Sequence, residues 1–159
     1  MIKLVDAYEY KEEIKALFTE YTDMLIAGDE KFKTYLEIQN YDHELKNLEE
    51  KYGRPCGRLY LAFCNDELAG CIGLRKIDNN TCEMKRLYVK PYFRENGIGR
   101  FLVKRIIEDA KEIGYSQMRL DTLPFLDTAT KLYKKHGFYE IPCYNNNPMD
   151  NSIYMQLDL

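Results

Sequence analysis

The sequence lacks long apolar runs and has no surplus of positive charge. No apolar stretch approaches the roughly 18 residues that a transmembrane helix needs. The first residues, MIKLVDAYEYKEEIKALF, lack the uninterrupted apolar core of a signal peptide. The formal net charge is −3, which argues against generic nucleic-acid binding because such binding depends on a basic face. We therefore expect a cytoplasmic protein whose partners include neither a membrane nor a nucleic acid.

Metal ligands and paired cysteines are also scarce. The chain has two histidines, His43 and His136, and its five cysteines include no CxxC spacing. Neither histidine lies near a pair of cysteines, so support for a zinc site or a disulfide framework is weak, and we expect no metal. Cys64, Cys71 and Cys82 fall within strand-like runs. This placement predicts that the cysteines act as small buried hydrophobes in a reducing compartment.

The first 58 residues are predicted to be mainly helical. The whole chain has 159 residues, of which 45% are hydrophobic, and this content is enough for the core of one domain. Asp6 can cap a first helix, whose apolar residues recur at helical spacing up to Gly28. Residues 29–40 are polar and ambiguous, and a second helix is predicted over 41–52.

The period then changes to that of strands. Strands are predicted over 59–64, 68–76 and 81–89, and their short links make them antiparallel neighbours. A helix over 97–113 precedes a strand over 116–122, and this order implies a parallel crossover. A helix over 125–136 and strands over 138–141 and 152–157 complete a mixed α/β sheet flanked by helices.

The segment RENGIG, residues 94–99, lies where a predicted strand gives way to a helix. The first backbone N–H groups of a helix have no partner within it and carry partial positive charge, so they suit an anion such as phosphate. Gly97 and Gly99 allow close approach of the backbone, and Arg94 can add charge and two-pronged donors. The segment predicts a ligand that carries a pyrophosphate. The alternative is that the glycines only allow the backbone turn between the strand and the helix.

Two other phosphate-binding motifs do not fit this segment. A P-loop requires Lys-Ser/Thr after its last glycine, whereas Arg100 and Phe101 follow Gly99. A dinucleotide fingerprint requires a third small residue where this chain has Leu102, and it opens a βαβ unit instead of following a meander.

The wider sequence resembles the GNAT superfamily of N-acetyltransferases. The resemblance rests on the strand end Leu87-Tyr88-Val89, on the loop from Arg94 to Gly99, and on the segment from Ala129 to Phe138. It covers residues 59–158 and is only topological over the first 58. It implies one N-acetyltransferase domain over 1–159, with a variable helical segment on the substrate side (1–58) and a cofactor-binding core (59–159). The implied sheet is mostly antiparallel and contains a splayed central pair of parallel strands.

The resemblance also implies acetyl-coenzyme A as co-substrate and which residues bind it. The backbone of the strand end Leu87, Tyr88 and Val89 would pair with the pantetheine arm. The pyrophosphate would be held by Arg94, Glu95, Asn96, Gly97, Ile98, Gly99 and Arg100. Many members have an asparagine that bonds the cofactor arm where this chain has Leu126, so that contact is expected to be missing or replaced.

Transfer to an amine requires a neutral nitrogen. For a lysine-like pKa near 10.4, about one amine in 2,500 is neutral at pH 7, a cost of roughly 4.6 kcal/mol. Glu83 is the predicted base, acting directly or through water, because similar members carry a catalytic glutamate at this place on the strand. Strand alternation would put Glu83, Lys85, Leu87 and Val89 on one face unless a bulge intervenes. The alternative is an exposed glutamate paired with Lys85 or Arg86.

Tyr133 resembles the tyrosine that serves the leaving thiolate in the family. A phenol has a pKa near 10 and a thiol near 8.5, so a strong hydrogen bond to the developing sulfur anion is more plausible than full proton transfer. The alternative is a core tyrosine on an amphipathic helix. Other tyrosines, Tyr35 and Tyr144 among them, either line a substrate pocket or pack with a hydrated hydroxyl.

The predicted function is transfer of an acetyl group from acetyl-coenzyme A to a primary amine by direct attack. The alternative is a non-catalytic module that binds acyl-coenzyme A as a sensor or interaction surface. The sequence does not decide whether the acceptor is a small-molecule amine, an amino acid or a peptide. It also leaves two oligomeric states, a monomer and a homodimer.

Overall fold

A single sheet of seven strands runs through the molecule. The computed structural model describes residues 1–159. Its strands are β1 (Ile2–Asp6), β2 (Arg58–Cys64), β3 (Glu67–Lys76), β4 (Thr81–Val89), β5 (Gln117–Thr122), β6 (Tyr139–Ile141) and β7 (Ile153–Asp158). The strand order is β1-β2-β3-β4-β5-β7-β6, and only β4 and β5 are parallel. The predicted mixed, mostly antiparallel sheet with one central parallel pair is confirmed.

Six α-helices and one short turn of 3₁₀-helix accompany the sheet. The helices are α1 (Lys11–Gly28), α2 (Phe32–Ile38), α3 (Tyr41–Lys46), α4 (Leu48–Tyr52), α5 (Ile98–Ile113) and α6 (Asp127–Lys135), and the 3₁₀ turn spans Pro91–Phe93. None of these helices is apolar over enough of its length to cross a bilayer.

The chain begins with a strand that the sequence analysis missed. Residues 2–6 pair antiparallel with β2, from Ile2 opposite Cys64 to Asp6 opposite Tyr60. The expectation that Asp6 caps the first helix is wrong, because α1 starts only at Lys11 and Asp6 instead accepts a hydrogen bond from Arg54 (2.7 Å). Five residues are too few for alternation alone to distinguish a strand from a helix start.

The region from 29 to 52 contains three short helices. The ambiguous stretch forms α2, which buries Phe32, Tyr35 and Leu36. The single helix predicted over 41–52 is two helices, because the backbone leaves the helical region at Asn47 (φ −135°). The Asn47 side chain donates to the carbonyl of His43 (3.2 Å), the competition with the helical backbone that makes asparagine a helix terminator.

Two apolar clusters cover the two faces of the sheet. On one face α5 packs through Leu102, Val103 and Ile106, which are fully buried, and the helix ends as predicted at Gly114 in the left-handed conformation (φ 107°). On the other face α1 and α4 pack through residues that include Phe18 and Tyr52. Because both faces are covered, β4 lies in the interior with α5 on one side and α1–α4 on the other.

The five cysteines are all free thiols, and their environments differ. Cys71 and Cys82 are buried within β3 and β4, as expected of small hydrophobes. The expectation is wrong for Cys143, which is exposed in the loop between β6 and β7.

Candidate functional site

The parallel strands β4 and β5 separate soon after they meet. They pair at Thr81 with Gln117, at Cys82 with Met118 and at Glu83 with Arg119, and at no later position. From Met84 onward β4 therefore has no strand neighbour on its β5 side. A cleft lies in this gap, and its walls include Met84, Leu120 and Tyr133.

A bulge in β4 changes which side chains share a face. Lys85 is opposite Gly73 and Tyr88 is opposite Cys71, so two residues of β4 stand against one residue of β3 between these pairs. Arg86 takes up the extra residue with a positive φ of 61°. The expectation that Glu83, Lys85, Leu87 and Val89 share a face is therefore wrong.

The bulge sends the two halves of β4 toward different helices. Leu87 and Val89 pack against the cluster that contains α5, and Tyr88 packs with α1. Lys85 instead donates to Gln39 after α2 (2.6 Å), and Glu83 bonds Tyr144 from the last loop (2.6 Å). The acidic and basic side chains thus face α2–α4, and the apolar strand end faces α5.

The loop before α5 presents a row of unpaired backbone donors. The N–H groups from Glu95 to Arg100 make no hydrogen bond to any protein group, and the first bond of the helix is from Phe101 N to Gly97 O (3.0 Å). Asn96 fixes the loop by donating from its side chain to the carbonyls of Phe93 (3.0 Å) and Arg94 (3.1 Å). A run of such donors at the N-terminus of a 16-residue helix can bind a diphosphate.

The two glycines of this loop have different surroundings. Gly97 caps α5 in the left-handed conformation (φ 76°), and a Cβ there would meet nothing within 4 Å. A Cβ on Gly99 would stand 3.4 Å from Leu132 of α6 and 4.0 Å from Val89. Gly97 therefore leaves open space beside the donors, whereas Gly99 also allows close packing of α5 on its neighbours.

The side chain of Arg94 contacts the end of β4. Its Nε donates to the carbonyl of Val89 (3.1 Å), and its guanidinium lies 5.9 Å from the ring centre of Tyr88. The side chain is thus positioned between the splayed strand and the donor loop, where it adds positive charge to an anion site.

Glu83 is a buried carboxylate with both oxygens engaged. It is 2% exposed, and its Oε1 accepts from Arg75 (2.6 Å) while Lys85 stands 3.7 Å away. Burial raises the pKa of Glu83, but Lys85, Arg75 and the hydrogen bond from Tyr144 outweigh it and lower that pKa to about 2. Glu83 is therefore ionised at neutral pH. The alternative of an exposed glutamate paired with Lys85 or Arg86 is wrong about exposure, although Lys85 does pair with it (3.7 Å).

Tyr133 lies on α6 with its ring in the wall of the cleft. It is 7% exposed, and no protein group hydrogen-bonds its hydroxyl. Burial raises the pKa of Tyr133 well above its usual range, so the phenol stays protonated. Leu126, just before α6, puts an apolar side chain into the same cleft, so it offers no hydrogen bond there.

Sequence reasoning missed a polar group on the far side of the cleft. Asp121 of β5 accepts hydrogen bonds from Tyr35 and from Asn145 (2.9 Å). Burial and the Asp121 carboxylate raise the pKa of Tyr35 well above its usual range. Asp121 stands one residue before the end of β5, and only the splay of the strands, which no short motif encodes, brings it to the cleft.

Comparisons with known proteins agree with this architecture. The acetyltransferase (GNAT) family matches residues 14–138. An uncharacterised N-acetyltransferase of Schizosaccharomyces pombe is 39% identical over 93% of this chain and 88% of its own length. Another, of Dictyostelium discoideum, is 34% identical over 100% of this chain and 99% of its own.

The fold recurs in a solved structure. PaiA N-acetyltransferase from Thermoplasma acidophilum, crystallised in complex with coenzyme A, superposes with a TM-score of 0.76 over 100% of this chain and 99% of that one, at 20% identity. The family match covers most of the chain, and two relatives above 30% identity span nearly all of it. This chain therefore belongs to the GNAT family of acetyltransferases and is a transferase of the acyltransferase class.

Proposed function

We propose that this transferase moves an acetyl group from acetyl-coenzyme A to a primary amine by direct attack of the nitrogen. One observation carries the proposal. The gap beside β4 opens beyond Glu83, and the strand that forms its wall leads directly into the row of unpaired donors from Glu95 to Arg100. An extended ligand with a diphosphate at one end and a reactive group at the other suits this arrangement.

The chain offers groups for each part of such a ligand. Acetyl-coenzyme A supplies, when bound, an activated acetyl thioester. The N–H groups of the loop would hold its diphosphate, supported by Arg94. The edge of β4 from Leu87 to Val89 faces no strand and offers backbone groups to the pantetheine arm, as an added strand would use them.

Glu83 is proposed to favour the amine electrostatically. A carboxylate with a pKa of about 2 is a weak base, so direct proton transfer from an ammonium of pKa near 10.4 is steeply uphill. Its fixed negative charge still attracts the amine and stabilises positive charge that develops on nitrogen during attack. The proton would then leave through water, one of the two routes that the sequence allows.

Tyr133 is proposed to donate a hydrogen bond to the departing sulfur. Its hydroxyl has no protein partner and its raised pKa keeps the proton on oxygen. A phenol of higher pKa than a thiol stabilises the thiolate without giving up its proton. Its contribution should therefore appear in the rate of the chemical step and not in cofactor affinity.

The proposed acceptor side lies on the face of α2–α4 and the last loop. Gln39, which follows α2, and Asn147 of the last loop line the polar end of the cleft, and Tyr144 of the same loop bonds Glu83. This supports the division into a substrate-side segment and a cofactor-binding core. The proposed acceptor is a small-molecule amine, an amino acid or a peptide. The proposed active form of the protein is a monomer or a homodimer.

The test is thiol release from acetyl-coenzyme A across a panel of primary amines. We expect release that depends on an amine, and Tyr133→Phe should lower kcat by about 10- to 100-fold, the cost of one hydrogen bond to a charged group. Affinity for coenzyme A and the melting temperature should stay close to wild type. Tyr115→Phe is a matched control, because Tyr115 is a buried tyrosine that bonds Cys56 away from the cleft.

Two results would overturn the proposal. One is an unchanged kcat in Tyr133→Phe with the wild-type protein active. The other is the absence of amine-dependent thiol release from a protein that binds acetyl-coenzyme A, which would favour a binding module.

A further inference from the structure

A group of four cations lies between α2–α4 and the strands β3 and β4. We call it the cationic cluster: Lys51, Arg75, Lys85 and Arg86. The two carboxylates that face it are Glu44 and Glu83, both nearly fully buried. Four cations thus share two carboxylates, which leaves two positive charges uncompensated.

Glu44 has no capacity left for a further donor. Arg86 holds it with a fork of two hydrogen bonds, from Nε and Nη2 at 2.9 Å each. Lys51 (2.7 Å) and the hydroxyl of Tyr52 (2.8 Å) complete its bonding. This ion pair belongs to the architecture of the domain, and Arg86 is committed to it.

The surplus charge lies on Arg75, Lys85 and Lys51. Arg75 uses only Nε to bond Glu83, and its two terminal nitrogens make no hydrogen bond. Lys85 bonds Gln39 and stands 3.7 Å from Glu83. Burial and the neighbouring Lys85 lower the pKa of Lys51 to about 8, as expected where positive charges lack partners.

Solvent reaches these free donors through an open polar hollow. Side chains of Arg75 and Lys51 are 34% and 20% exposed, and both line the hollow. Gln39 lines the hollow and also the cleft between β4 and β5, so the two spaces adjoin. At the rim, the exposed Glu50 hydrogen-bonds His43 and adds one negative charge, and the exposed Lys76 adds one positive charge, so the rim leaves the surplus unchanged.

Asp121 acts on the cluster only from across the cleft, where its charge favours the protonated form of Lys85. Its side chain is held by Tyr35 and Asn145 on the β5 side of the cleft, and it forms no ion pair with any of the four cations. The free cationic donors therefore lie in the hollow on the β3–β4 side, and the hydrogen-bonded carboxylate lies across the cleft on β5.

Resting on the proposed function, we propose that the acceptor is an amine with a free carboxylate, an amino acid or a similar small amino carboxylate. Arg75, with Lys51 and Lys85, binds the carboxylate and so presents the amine to the cleft beside Glu83. The two free terminal nitrogens of Arg75 match the two oxygens of a carboxylate.

Matched acceptors test this assignment by thiol release. Each amino acid in a panel is compared with its primary amide and its decarboxylated amine. We expect kcat/KM to be about 10- to 100-fold higher for the carboxylate, the worth of one or two hydrogen bonds between charged groups. The amides have less basic amines and so more neutral nitrogen, which biases the comparison against the proposal.

Variants assign the preference to the cationic cluster. Arg75→Gln should raise KM for the carboxylate by about tenfold or more and reduce the ratio of acid to amide. Arg75→Lys keeps the charge beside Glu83 but not the fork, so its KM for the carboxylate should lie between those of wild type and Arg75→Gln. This variant keeps the test valid if Arg75→Gln does not fold. Lys111→Gln, an equal charge change on the exposed side of α5, should leave the ratio unaltered.

Failure of this proposal is distinguishable from failure of acetyl transfer. Acceptor binding is measured by calorimetry in the presence of coenzyme A, which needs no turnover. If no acceptor is acetylated but carboxylates bind more tightly than their amides, the carboxylate site stands and the proposed transfer falls. If amides or decarboxylated amines bind and react as well as the acids, or if a folded Arg75→Gln keeps the wild-type ratio, the carboxylate site is overturned.

Discussion

Single side chains in this protein have roles set more by their partners than by their type. Glu83 was predicted from its place on a strand, and in the structure it is the last residue of β4 that pairs with β5, where the gap begins. Its partners come from distant sequence, since Tyr144 lies 61 residues away and Arg75 lies on β3. No local pattern encodes such contacts, so residue type and spacing suggested the carboxylate but not its low pKa.

Glu83→Gln tests the charge of this residue separately from its hydrogen bonds. Glutamine has the same shape and can still accept a hydrogen bond from Arg75, so the change removes mainly the negative charge. We expect kcat with an amine acceptor to fall by about 100-fold or more, the usual cost of removing one preorganised electrostatic group. The measurement is steady-state thiol release, with Glu108→Gln on the exposed side of α5 as a control for net charge.

The pH–rate profile supplies the second half of that test. Because Glu83 has a pKa of about 2, its titration should add no limb between pH 5 and 9, and kcat/KM should rise with pH until the pH reaches the pKa of the acceptor amine. With two acceptors of different amine pKa, the inflection of the profile should lie at the higher pH for the more basic amine. An inflection near pH 5–6 that is common to both acceptors and disappears in Glu83→Gln would show that this carboxylate titrates as an ordinary base.

At the scale of elements, predictability followed length and periodicity. The long amphipathic α5 and the meander β2–β4 were predicted almost to the residue because each carries several repeats of its period. The five-residue β1 and the short helices between 29 and 52 carry too few repeats to be distinguished from loops. The bulge at Arg86 was beyond reach, since a buried arginine with positive φ is held there by tertiary bonds to Glu44.

The two ends of α5 offer a matched pair of substitutions. Gly97 and Gly114 both have positive φ (76° and 107°), and neither has an atom within 4 Å of an added Cβ. Alanine at either position should cost about 1–2 kcal/mol from the left-handed backbone alone, so Gly97→Ala and Gly114→Ala should lower the melting temperature by similar amounts.

Affinity for coenzyme A should distinguish Gly97→Ala from Gly114→Ala. Only Gly97 lies within the run of unpaired donors, and relief of its strain would turn neighbouring N–H groups out of line. We expect Gly97→Ala to weaken binding by about tenfold or more, in proportion to one lost hydrogen bond to a charged group, and Gly114→Ala to leave it unchanged. Equal affinities, measured by calorimetry, would remove the donor loop as the diphosphate site.

At the scale of the whole molecule, the predicted mixed α/β fold is confirmed, but the sequence did not disclose how its first part is attached. Helix α3 contacts the sheet through the buried pair Glu44–Arg86, Lys51 of α4 bonds the same carboxylate, and the last loop contacts the sheet through Tyr144 and Glu83. The bonds to the sheet join residues 42 and 61 positions apart. Two buried carboxylates thus add polar links between these segments and the sheet to the apolar packing of α1 and α4.

This attachment predicts a particular response to acid. The ordinary pKa of these carboxyl groups is 4.5, and in the folded protein Glu83 is lowered to about 2, while Arg86 and Lys51 overcome burial to lower the pKa of Glu44 as well. A carboxylate with a depressed pKa stabilises the fold above pH 4.5, and this stability is lost as the pH falls toward 2. The melting temperature should therefore be level from pH 7 to 5 and then fall.

Glu44→Gln assigns that loss to the buried pairs. Without the carboxylate, Arg86 stays buried with no counter-charge, so stability at pH 7 should drop by about 3–5 kcal/mol, or on the order of 10 °C. Because the group that titrates is gone, the difference from wild type should narrow between pH 4.5 and 2. Glu9→Gln, an equal charge change at an exposed residue, should follow the wild-type curve. If Glu44→Gln instead runs parallel to wild type throughout the acid range, the buried pairs do not set the acid stability of this domain.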